Sequence, residues 1–219
     1  YILRPKTIKN IDRLIGQPIC FFLTIFRYIS GVFVSRRTRP SNKILFIKLI
    51  EQGATVLAYS AINRAVHKAG KENVYFCVFE DNRAILDILN LIPGENVFTI
   101  RQKNLFVFFL DTLRMFIRTR RLKITATVDM EFFSRASAIL AYLTGATNRV
   151  GLHRFTSELP YRGDLMTHRV QYNPYLHTSK AYLMLVDALD RYPKETPLSK
   201  IKSEDLIVEA PQFAPAEDE

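Results

Sequence analysis

Cysteine is scarce in this chain: Cys20 and Cys77 are the only two among 219 residues. Without a Cys-x-x-Cys pair there is no basis for a disulfide scaffold or a cysteine zinc site. Such usage suits a reducing compartment. The four histidines, His67, His153, His168 and His177, lack metal-site spacing, so no metal or other cofactor is expected. The nucleotide fingerprints are missing too. No Gly-x-Gly-x-x-Gly follows the first predicted strand, and no Walker A sequence occurs. Neither a Gly-x-Ser-x-Gly elbow nor a His-Glu-x-x-His pair is present, which removes two common hydrolase classes. No apolar run reaches the roughly 20 residues that span a bilayer comfortably.

Acidic residues are also outnumbered, 21 against 31 Lys and Arg, for a formal net charge of +10. That balance favours anionic partners: phosphate-bearing substrates, acidic lipid headgroups or nucleic acid. Nucleic acid is the weakest of these. The basic residues are not interleaved with aromatics in any strand-binding or groove-reading motif.

What is present begins with a greasy leader. Pro18 to Val34 is strongly apolar but interrupted by Arg27. On a helix, Arg13, Gln17, Cys20, Thr24, Arg27 and Gly31 form one narrow, mostly polar stripe. Basic residues flank the run on both sides. This pattern fits a helix lying in a membrane interface, with Phe21, Phe22 and Phe26 in the apolar layer and Arg27, Arg36 and Arg37 at headgroups. Docking on the protein's own core or on a partner is the alternative. Ser35-Arg36-Arg37 replaces a small-residue cleavage site, so the run does not read as a signal peptide. Residues 1–42 are therefore a leader helix and linker, 43–192 a folded domain, and 193–219 a Pro- and Glu-rich exit linker.

Within the domain, strands and helices alternate. The segment KILFIKLIEQGATVLAYSAI, residues 43–62, reads as a buried strand, a break at Gln52-Gly53 and a helix from Thr55. Further strands are predicted at 73–79, 96–100, 123–128 and 149–152. Helices are predicted at 81–91, 105–118 and 132–143, with a last one opening at Asn173-Pro174 and running to about Asp190. Short links between alternating elements imply an α/β fold, a Rossmann-like doubly wound parallel sheet with right-handed crossovers. Ligands of such sheets bind beyond the carboxyl ends of the strands. The helix after the first strand also turns its free N–H groups and positive dipole end there, which suits phosphate.

The order of three segments carries a resemblance. They are 43–62, then residues 126–154 with Asp129-Met130-Glu131-Phe132-Phe133-Ser134-Arg135, Leu143-Thr144-Gly145-Ala146 and Arg149-Val150-Gly151, then 167–189. Together they resemble the amino-terminal half of glycosyltransferase family 9, the lipopolysaccharide heptosyltransferases, over roughly residues 43–190. The leader resembles those of a branch of the same family. The resemblance implies the amino-terminal domain of a GT-B fold that holds the acceptor. It further implies a nucleotide-sugar donor bound through a domain not in this chain, and transfer of a heptose or related sugar to lipopolysaccharide core or a similar glycolipid. It places the protein at the cytoplasmic face of a bacterial inner membrane, peripherally. A non-catalytic binding or assembly subunit, with a protein partner at the membrane, is the alternative.

One departure weighs on activity. Family members commonly carry Asp directly after the turn glycine as candidate base, but here Gly53 is followed by Ala54. A substitute base is expected among Glu51, Asp129 and Glu131. Asp129 and Glu131 have a second explanation, as a cap and a first-turn acid of the helix they precede. Glu51 equally reads as a solvated loop residue. Gly53, Ala54, Thr55, Arg135 and His153 are the expected acceptor-side contacts. Surface roles for Arg135 and His153 stay open, as does a solvated helix end for the basic cluster Arg114, Arg118, Arg120 and Arg121.

Overall fold

The structure, a computed structural model, describes residues 12–33, 40–153, 161–193, 195 and 206–211. Six parallel strands form one sheet in the order β3-β2-β1-β4-β5-β6. They are β1 Ile44–Ile47, β2 Val74–Phe79, β3 Val97–Ile100, β4 Ala126–Asp129, β5 Asn148–His153 and β6 His168–Gln171. The helices are α1 Gly16–Phe33, α2 Gln52–Leu57, α3 Tyr59–Ala69, α4 Arg83–Leu89, α5 Leu105–Arg121, α6 Arg135–Leu143 and α7 Thr178–Asp187.

The sheet is apolar on both faces, as a parallel sheet covered by helices must be. In β1, Ile44 and Phe46 join Ala61, Ile62, Leu86 and Tyr182 in one core beneath α3, α4 and α7. Leu45 and Ile47 point the other way, into a core with Cys20 of α1, Met115 of α5 and Ala138 of α6. β1 is central, pairing Ile44 with both Val74 and Ala126, and Ile47 with both Cys77 and Asp129. The chain therefore leaves β1 toward one edge and β4 toward the other. Their carboxyl ends bound the crevice at the strand-order switch point.

The doubly wound sheet expected from sequence is present, with several boundaries moved. The second half of the 43–62 unit becomes helical at Gln52, not Thr55, and α6 starts at Arg135, not Phe132. The latter helix is capped by Ser134, whose Oγ accepts from the Ser137 N–H at 3.3 Å. Gly70 does close α3: it sits at φ 82° and its N–H bonds the Val66 carbonyl at 2.8 Å. The last helix opens at Thr178 behind His177. Asn173 instead nucleates a turn, its Oδ1 accepting from the Tyr175 N–H at 3.0 Å. β6 was not anticipated. Of the segment called the exit linker, residues 206–211 lie on α3: Leu206 is buried, and Ser60 Oγ bonds the Glu209 carbonyl at 2.7 Å.

The leader helix lies along α6 with its polarity reversed relative to an ordinary surface helix. Cys20 is fully buried, Thr24 Oγ1 accepts from the Asp164 N–H at 2.9 Å, and Arg27 pairs with Asp164 Oδ2 at 2.6 Å. Gly16 lets the helices meet, since a Cβ there would lie 3.0 Å from Arg135 Cβ. The outward side is apolar: Phe21, Phe22, Ile25, Phe26 and Ile29 are all exposed. Docking on the body thus occurs through Cys20, Thr24 and Arg27 of the polar stripe with Leu23 beside them, while Arg13 and Gln17 of the same stripe are exposed. No described helix is long and apolar enough to cross a membrane.

Candidate active site

The crevice is built from two loops, one after β1 and one after β4. Each contains a non-glycine residue in left-handed backbone: Glu51 at φ 71° and Phe133 at φ 63°. Such conformations cost of order 1–3 kcal/mol each and persist only where surrounding contacts enforce them. The Glu51 carbonyl accepts from the Thr55 N–H at 3.2 Å, and its side chain meets Lys48. Gly53, where the turn was expected, lies inside α2, and a Cβ there would meet nothing.

Lys48, the residue after β1, organises the site. It is completely buried, and its Nζ donates to Glu51 Oε2 at 3.0 Å and to Glu131 Oε2 at 3.2 Å. The other oxygen of Glu131 accepts from the backbone N–H groups of Leu49, at 2.7 Å, and Ile50, at 3.2 Å. One carboxylate from the β4 loop therefore pins the β1 loop, and a buried cation holds both acids. A buried charge pair needs such additional hydrogen bonds to offset its desolvation.

Asp129 ends β4 and is also fully buried. Its Oδ1 accepts from the Glu131 N–H at 3.1 Å, while Oδ2 accepts from Ser137 Oγ at 3.0 Å and from Arg162 Nη2. Burial pushes its pKa up to about 6, against the lowering pull of Arg162 and Ser137. On α7, Tyr182 is fully buried with no hydrogen-bond partner on its hydroxyl. Burial raises its pKa, and the charges of Glu131, Glu51 and Asp129 raise it further. Its ring packs on Phe132 at 5.9 Å.

The three candidate acids thus converge at the switch point but differ in access. Asp129 and Glu131 are enclosed and bonded to backbone and cations, and neither lies in the first turn of α6. Glu51 keeps 60% of its side chain exposed. Ala54 is half-buried and Thr55 fully buried in the first turn and a half of α2. Arg135 points elsewhere: Nη1 pairs with Asp12 Oδ2 at 3.0 Å and Nε donates to the Tyr161 carbonyl at 2.8 Å. It joins α6 to the leader rather than lining the crevice. His153, at the end of β5, borders a separate cavity of about 330 Å³ with Tyr28, Tyr161, Arg162 and Arg169. Arg27, expected at lipid headgroups, faces Asp164. Arg36 and Arg37 lie outside the described residues. Among the described residues no group of His, Cys, Asp and Glu could hold a metal.

Lys48 was missed from the sequence. The available signal was a lysine inside a run buried on both faces, which demands a carboxylate partner. Arg162 gave no comparable signal.

No protein-family model and no curated protein matches this chain. Solved structures do. The fold is shared with heptosyltransferases. The Escherichia coli heptosyltransferase WaaC, solved with ADP-2-deoxy-2-fluoro heptose, superposes with a TM-score of 0.56 at 13% identity over 72% of this chain and 50% of its own. The E. coli ADP-heptose lipopolysaccharide heptosyltransferase II gives 0.56 at 15% identity, over 80% of this chain and 47% of its own. A family 9 glycosyltransferase from Veillonella parvula gives 0.51 at 13% identity, over 70% and 42%. The chain spans half or less of each of these proteins. At these identities the likeness shows the fold, a Rossmann-like sheet of GT-B type.

Proposed function

We propose that this chain is the acceptor-binding half of a membrane-associated glycosyltransferase. It transfers a heptose or related sugar from a nucleotide-sugar to lipopolysaccharide core or a similar glycolipid, peripherally at the cytoplasmic face of the inner membrane. The observation that carries the reading is Glu51, a strained, solvent-reaching carboxylate at the switch-point crevice of a heptosyltransferase-like fold. The ligand and the name of the two E. coli structures, an ADP-heptose analogue and an ADP-heptose lipopolysaccharide transferase, support the donor and acceptor classes. The leader's outward apolar side, on a chain of net charge +10, supports the membrane.

The chemistry is a single displacement. The acceptor hydroxyl oxygen bonds to the anomeric carbon as its proton passes to Glu51. The bond from that carbon to the diphosphate oxygen breaks, and its electron pair leaves with the nucleoside diphosphate. Lys48 and Glu131 hold the Glu51 loop in place. Proton abstraction of this kind contributes about 10²–10⁴-fold.

Ala54 favours a second reading, a glycosyltransferase-like assembly subunit without activity. Transfer from ADP-sugars to a lipopolysaccharide acceptor by the full-length gene product separates the two. Glu51→Gln is expected to lower kcat by about 10²-fold or more with folding intact, and Asp129→Asn and Glu131→Gln to act chiefly on stability. Absence of donor binding and of transfer by the unaltered protein, while it still sediments with membranes, leaves the assembly subunit.

A further inference from the structure

Helix α5 carries a second apolar surface that the described residues leave uncovered. Leu105, Phe106, Phe109, Leu113 and Ile117 are between 42% and 70% exposed. Four of them recur at steps of four, so they stack along one side of the helix, with Phe106 beside them. Exposed Arg114, Arg118 and Arg121 follow on the adjoining side. The helix's one acid, Asp111, is turned inward onto Arg101, at 2.8 and 2.9 Å, with the largely exposed Arg114 3.6 Å from its Oδ1. Monomeric soluble proteins rarely expose a contiguous apolar strip of this kind.

α5 lies on the same side of the sheet as the leader. Met115 of α5 and Cys20 of α1 share one core with Leu45, Ile47 and Cys77. Both helices are therefore apolar outward on one layer of the molecule. The charge pattern identifies the occupant. α1 contains no acid, Asp12 before it is paired with Arg135, and Asp111 is paired with Arg101. Neither helix offers an unpaired negative charge, and arginines border α5. Apolar stripe plus basic border is the signature of a helix lying in an anionic bilayer surface.

We propose that α5 is a second membrane-docking element, seating Phe106, Phe109 and Leu113 in the interfacial layer of an anionic bilayer beside the leader. This rests on the membrane reading above and deepens it. Two separated contacts hold the sheet at one orientation to the bilayer, whereas a single helix leaves it free to roll.

The chain has no tryptophan, so Phe106→Trp is a background-free reporter. Its emission is expected to shift blue on adding vesicles of phosphatidylethanolamine with phosphatidylglycerol. In flotation assays on the same vesicles, Phe106→Ser/Phe109→Ser and Arg114→Gln/Arg121→Glu are each expected to weaken binding about tenfold or more. The arginine variant should change nothing on pure phosphatidylcholine. If the α5 variants bind as the unaltered chain does, while Phe22→Ser/Phe26→Ser in α1 abolishes binding, the α5 assignment is overturned and the leader's survives. Failure of the unaltered chain to bind overturns both. A dimer that the α5 variants convert to monomer, with vesicle binding unchanged, assigns the strip to a second copy and also overturns the proposal.

Discussion

Replacing Glu131 by alanine removes three contacts at once. The Leu49 and Ile50 N–H groups lose their acceptor, and fully buried Lys48 keeps only the exposed Glu51. Removing one partner of a buried ion pair costs about 3–5 kcal/mol, because the remaining charge stays desolvated. The orphaned Leu49 N–H belongs to the same disturbance, so its own roughly 1–3 kcal/mol is not simply added. For a chain of this size, about 2–4 °C of melting temperature accompanies each kcal/mol. Glu131→Ala is therefore expected to melt roughly 6–20 °C lower, with a matching fall in the guanidinium midpoint followed by circular dichroism. The companion Lys48→Met/Glu131→Leu removes both charges and should lose at least about 1 kcal/mol less than the summed single changes. A Glu131→Ala loss under about 1 kcal/mol, or strict additivity in the pair, would refute the bridge as the element that joins the two loops.

Other expectations follow from the same contacts. Gly163 sits at φ 68°, and a Cβ there would lie 2.5 Å from Thr24 Oγ1 and 2.7 Å from the Cys20 carbonyl. Gly163→Ala should cost about 1–3 kcal/mol and make the leader more sensitive to trypsin, read by limited proteolysis. Thr24→Val, which deletes the acceptor for the Asp164 N–H, should cost about 1 kcal/mol in denaturant titration. Asp129 has a folded pKa raised to about 6, above its value in the unfolded chain, so the native state binds its proton more tightly. Its contribution is full below about pH 4 and is lost as pH rises through about 6. A carboxyl carbon resonance titrating near 6 and absent in Asp129→Asn is the expected NMR signature. A midpoint near 4 would contradict it.

The first four strands were legible because each is a short, largely apolar run, as burial on both faces requires, whereas β5, with only Val150 and Leu152 as large apolar residues, was read from its place after the helix closed by Gly145. β6 was not, because Val170 is the one apolar residue in His168–Gln171, and an edge strand needs little more. The starts of α6 and α7 shifted because Ser134 and His177 cap them at positions that propensity does not encode. The acids at the crevice were found from their place after strands. Their roles were not, because they depend on Lys48 meeting Glu131 across 83 residues and on Arg162 reaching Asp129 from beyond β5. The left-handed backbone of Glu51 was equally hidden, since nothing about a glutamate signals positive φ.

The reversed polarity of the leader bears on what its removal would do. Trimming an ordinary surface helix bares the grease it covered and leaves a sticky body. Here the surface uncovered would be mixed, the core beneath Cys20 and Leu23 opening beside Asp164, Arg135 and the Tyr161 carbonyl, while the exposed phenylalanines depart with the cut piece. A chain shortened past residue 33 should therefore stay in solution at higher concentration than the longer one, trading adhesion for dispersal.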